Sequence, residues 1–83
     1  MTFLWAWSSS APAAAASGVS GDMGRARRAA AQWMRANGAD ASLLEEVRLA
    51  IGARSLLPHH EPTGVVMPAD MCRDGRVRWR PAA

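Results

Sequence analysis

The chain has no lysine and no tyrosine, and only one phenylalanine and one cysteine in 83 residues. The lone Cys72 cannot close an intrachain disulfide, so no covalent staple supports the fold and a reducing compartment is expected. Large aliphatic side chains are scarce as well. Leu, Ile, Val and Phe number 13, about 16% of the chain, below the roughly 20% at which disorder becomes a competing outcome. The hydrophobic fraction of 49% is inflated by 18 alanines, so the core must lean on four tryptophans and five methionines. A chain of this length is one domain at most and buries only about 60% of the surface its unfolded form exposes. Self-association is an obvious way to bury more. No long apolar run is present either: Phe3 to Trp7 is interrupted by Ser8, Ser9, Ser10 and Pro12, which excludes a membrane-spanning helix. No basic residue precedes that run, as a secretory signal would require. The expected location is the cytoplasm, with no membrane partner.

What the chain has instead is arginine. Ten arginines carry all the fixed positive charge against seven acids, for a net charge of +3. A joint excess of Ala and Arg is what GC-rich coding imposes, so part of the arginine content is compositional.

Phe3, Trp5 and Trp7 recur with period two and predict a short strand within residues 1–7. Residues 8–21 are Ser, Ala, Gly and Pro with Val19 as the one larger side chain, the composition of a flexible linker. The remainder, 22–83, is then the folded domain. Asp22 can cap a helix running to Asn37, with Gly38 supplying the left-handed C-terminal residue. Met23, Ala26, Ala30, Trp33 and Met34 share one arc of that helix, and Arg25, Arg28, Gln32 and Arg35 the opposite one. Asp40 or Ser42 can cap a second helix, Ser42 with Glu45 matches a capping box, and Leu43, Leu44, Val47, Ala50 and Ile51 follow a helical stripe that ends near residues 52–54. Residues 56–64 read as an extended connection. The Asp74-Gly75 turn signal predicts a β-hairpin within 65–81. A two-residue loop would place Asp70 on the face that Val77 and Trp79 must bury. A three-residue loop, Arg73-Asp74-Gly75, instead pairs Met71 with Val77, Asp70 with Arg78, and Ala69 with Trp79. Pro68 lacks a donor, so its strand should be at a sheet edge there or begin near it. The expected fold is α+β, a two-helix hairpin packed on a small antiparallel β-hairpin or three-stranded sheet, in the order β-α-α-β-β. The first strand would pair with Arg76–Arg80.

Positive charge concentrates in two segments: residues 22–37 and 73–80 each carry a net +3, whereas residues 40–54 carry −1. In the hairpin, Arg76, Arg78 and Arg80 line the face opposite Val77 and Trp79, and Arg73 stands at the turn. Such a ribbon can lie along a phosphate backbone. Two helices followed by a basic hairpin resemble a winged helix-turn-helix. The recognition helix of that arrangement would open with Glu45 and Glu46, which repel phosphate. Backbone contacts from Arg25, Arg28, Arg35, Arg73, Arg76, Arg78 and Arg80, with little base reading, are the expected mode. His59, His60 and Glu61 are adjacent but lack the four-ligand spacing of a zinc site. Neither a metal, a cofactor nor an enzymatic activity is expected. The alternative reading is a protein-interaction or self-associating module that uses Phe3, Trp5 and Trp7 with the apolar helix faces.

The opening MTFLWAW, the alanine-rich helix with its Arg27-Arg28 pair and the closing RDGRVRWRP resemble small uncharacterised proteins of high-GC actinobacteria. The resemblance covers most of the chain and implies a bacterial cytoplasmic origin. It implies no site residues.

Overall fold

A computed structural model describes residues 3–51 and 58–80. Strands β1 (Phe3–Ala11) and β2 (Ala14–Ser20) are followed by helix α1 (Met23–Asn37), then by β3 (Ala41–Ile51), β4 (Pro58–Met71) and β5 (Val77–Trp79). The five strands form one antiparallel sheet in the order β2-β1-β3-β4-β5. Because β2 and β3 flank β1 and both oppose it, they run parallel to each other. α1 bridges them, packing on β1 and β2 and more lightly on β3.

This architecture corrects the expected two-helix hairpin. Among the described residues there is one helix, and the order is β-β-α-β-β-β rather than β-α-α-β-β. Residues 41–51 are a strand with β1 on one side and β4 on the other. Ala, Leu, Glu and Arg favour helix intrinsically, but two flanking ladders outweigh a preference of a few tenths of a kcal/mol per residue. Ser42 does not cap anything: its hydroxyl donates to the Ser8 carbonyl at 2.8 Å. The expected linker, residues 8–21, is the end of β1, a Pro12-Ala13 turn and all of β2. Its small side chains suit a strand on which a helix rests closely. β1 pairs with β2 and β3 rather than with Arg76–Arg80. The expected connection at 56–64 is β4 from Pro58 onward, and residues 52–57, including the end of the expected second helix, lie outside the described residues.

α1 has the boundaries its signals predict. Asp22 Oδ1 accepts from Arg25 N at 2.8 Å, and Gly38 takes φ 68°, the left-handed conformation that glycine adopts without penalty. Its buried face is Ala26, Ala30, Ala31 and Met34. Ala26 meets Leu44 and Met67 in the core, and Trp5, Trp7, Met23 and Trp79 pack around that cluster. The hairpin register is also the predicted one: Met71 pairs with Val77, Asp70 with Arg78, and Ala69 with Trp79. Cys72 N donates to Arg76 O at 2.7 Å, closing a three-residue loop with Gly75 at φ 85°. Pro68 accepts from Arg80 N at 2.9 Å through its carbonyl. Its nitrogen therefore points to the same side, where β5 ends, so the missing donor interrupts no ladder bond.

Gly18 lies opposite Trp7. A Cβ at position 18 would stand 2.5 Å from the Trp7 Nε1. The indole is packed against the core and cannot swing freely, so Gly18→Ala is expected to destabilise the fold by about 1–3 kcal/mol. Urea denaturation followed by tryptophan fluorescence checks this; an unchanged midpoint would mean that Trp7 does not lie over Gly18.

Candidate functional site

The fold brings the two basic segments together. Residues 22–37 and 70–80 hold eight arginines and three acids, while the rest of the chain holds two arginines and four acids. Because α1 rests chiefly on β1 and β2, the sheet beyond it is left open toward β5. There Arg27, Arg28, Ala31, Gln32 and Arg35 of α1 face Val77 and Trp79 of β5 across a cleft of about 460 Å³. No acidic residue lines it.

Two of the three cationic side chains have a distinct support. The Arg27 guanidinium sits 5.7 Å from the centroid of the Trp79 ring, a cation–π distance, and its Nη2 donates to Met67 Sδ at 3.3 Å. Its Nε is buried and has no hydrogen-bond partner among the described residues. Arg35 Nε donates to Gly75 O at 3.1 Å, tying the end of the helix to the hairpin loop. Arg28 is exposed between them. Among the described residues no carboxylate pairs with Arg27, Arg28 or Arg35. The cleft's positive charge is therefore uncompensated locally.

The expected arginines are divided by the edge strand. Arg28 and Arg35 line the cleft, whereas Arg76, Arg78 and Arg80 project on the other side of β5 from Val77 and Trp79. Those three are partly neutralised. Asp70 receives Arg80 Nε at 2.9 Å and also its Nη2, with Arg78 Nη2 at 3.8 Å, and Arg76 Nε stands 3.5 Å from Asp74. Exposed pairs of this kind hold about 0–1 kcal/mol each and exchange readily for another anion. Arg25 and Arg73 are exposed but outside the cleft lining.

Arg27 was missing from the expected set. It lies about 20° from Met34 and about 40° from Ala31 on the helical wheel, between two buried positions, where an arginine lays its stem on apolar surface and keeps its head at the rim. That position was the available signal. Of the aromatic trio, Trp5 and Trp7 are half-buried against the core while Phe3 is 48% exposed.

A larger groove of about 610 Å³ runs over β1, β2 and β3 near the Pro12-Ala13 turn. It has little chemistry to offer. Among the described residues no charged one lines it, and its buried hydroxyls are committed to main chain, Ser9 to Ala41 O and Ser42 to Ser8 O, both at 2.8 Å. Among the described residues no group of three His, Cys, Asp or Glu side chains could hold a metal ion, and no helix is long and apolar enough to cross a membrane. No family model, curated protein or solved structure matches the chain.

Proposed function

We propose that this protein is a small non-enzymatic accessory or regulatory protein of the cytoplasm that binds nucleic acid through its phosphates. The observation that carries the reading is the convergence of Arg27, Arg28 and Arg35 with Trp79 in a cleft free of acids. Guanidinium groups give charge-assisted, often bidentate, hydrogen bonds to phosphate oxygens. Arg27 is braced by Trp79 and Met67 and Arg35 by the hairpin loop, so less side-chain entropy is lost when an anion binds than from free surface arginines. Arg76, Arg78 and Arg80 on the far side of β5 extend the positive field around the edge. Guanidinium contacts to phosphate oxygens carry no base information, so contacts on the backbone give little sequence preference.

Arg28→Gln with Arg35→Gln removes two cleft charges without touching the core. The double variant is expected to bind a mixed-sequence duplex on the order of tenfold more weakly, and its salt dependence should fall by nearly two in log-log slope. Arg76→Gln, whose charge is already shared with Asp74, should cost less. Wild-type affinity in the double variant would show that the cleft is not the binding site.

A further inference from the structure

We infer that the protein forms a homodimer in which β2 pairs antiparallel with β2 of a second copy, joining two five-stranded sheets into one. The exposed edges of the sheet differ sharply. β5 is three residues long and bordered by Arg76 and Arg80, and the part of β4 that β5 leaves uncovered carries Pro58 and Pro62. Charge, brevity and proline are the usual devices that block edge-to-edge pairing. β2 has none of them: it is seven residues, Ala-Ala-Ala-Ser-Gly-Val-Ser, without a charge or a proline, and Ala14, Ala15, Ser17 and Val19 are exposed.

The main chain of this edge is directed outward in a defined pattern. The two-residue turn makes Ala11–Ala14 the closing pair of the β1–β2 hairpin, so alternate residues from Ala14 point at β1, and Ala15, Ser17 and Val19 point away. The Ser42 hydroxyl confirms the phase. It reaches the Ser8 carbonyl from β3, so Ser8 and its partner Ser17 form a pair that is not hydrogen-bonded to each other. Three outward residues spaced by two are centred on Ser17. A two-fold axis through that centre sets Ser17 against Ser17 of the partner subunit and Ala15 against Val19 of the partner subunit.

The occupant is a second copy because the segment complements itself. Under the two-fold axis every cross-strand pair joins small, uncharged side chains, with no like charges opposed and no bulky pair in conflict. Val19, 49% exposed, gains cover from the partner's Ala15. On the helix-free face, exposed Val19 and Leu43 border one groove together with Ala6 and Ser8. The arginine cleft lies at the opposite edge and stays open, so its binding remains a separate readout.

Sedimentation equilibrium of the full chain at about 100 µM should give twice the 8.9 kDa chain mass. Ser17→Lys places two ammonium groups in direct opposition across the axis, at an exposed position where a monomer tolerates lysine, and should return the mass to that of one chain. Ser17→Asp should do the same. An equimolar mixture of the two variants should recover the dimer, since lysine then faces aspartate. A single-chain mass for the wild type at this concentration overturns the proposal, as does a Ser17→Lys variant that remains dimeric.

Discussion

Leu44→Ala is expected to lower the unfolding free energy by about 3 kcal/mol, whereas Leu43→Ala should cost under about 1 kcal/mol. Leu44 is fully buried in the first half of β3, between Trp7 of β1 and Met67 of β4, beneath Ala26 of the helix. Truncating it leaves a cavity in the one place where the scarce large side chains converge. Leu43 is 39% exposed on the other face, so the same truncation there loses little contact. The total at stake is small, since a domain of this size holds on the order of 0.1 kcal/mol per residue. With a urea slope near 1 kcal/mol/M, Leu44→Ala shifts the midpoint by about 3 M. The contrast also discriminates folds. A helix over residues 42–54 buries both leucines on one stripe, so equal losses at 43 and 44 would contradict the strand.

That contrast explains how much of the fold was legible in the sequence. α1 could be read to the residue because its ends are local chemistry: the Asp22 carboxylate on Arg25 N and the left-handed Gly38. The β4–β5 register could be read because one residue of slip would exchange Trp79 and Val77 for arginines. β3 could not. Leu43, Leu44 and Val47 satisfy a helical spacing, yet Ser42, Leu44 and the pair Leu43, Glu45 also alternate in burial, and the choice is made by strands distant in sequence. β2 was illegible for a different reason. Its alanines, serines and glycine carry no periodic signal, and its pairing is imposed by the Trp5–Ala11 ladder beside it. Glycine at 18 looked like linker composition and is instead the space that the Trp7 indole occupies.

The site was half legible. That positive charge resides in the helix and the terminal hairpin follows from counting, but their convergence depends on where α1 crosses the sheet. Arg76, Arg78 and Arg80 looked like a free ribbon, although the predicted register already set Asp70 opposite Arg78; the structure adds that Asp70 also takes Arg80 from the next position along β5. Arg27 was assigned to neither face of the helix in the sequence, and it is the residue whose guanidinium lies over Trp79.

If phosphate contacts hold the complex, affinity must respond steeply to salt. Arg25, Arg28, Arg35 and Arg73 are exposed, and no ion pair engages them among the described residues. Four phosphates neutralised on duplex DNA give a log-log slope of about −3.6, so a fourfold rise in salt should weaken binding on the order of a hundredfold. An apolar interface would be nearly indifferent to the same change. The direct measurement is fluorescence anisotropy of a labelled mixed-sequence duplex titrated with the protein at about 50 and about 200 mM salt. Micromolar binding at the lower salt that falls by one to two orders of magnitude at the higher is the predicted result. No binding at the lower salt, or equal affinity at both, would contradict the arginine cleft as a phosphate site.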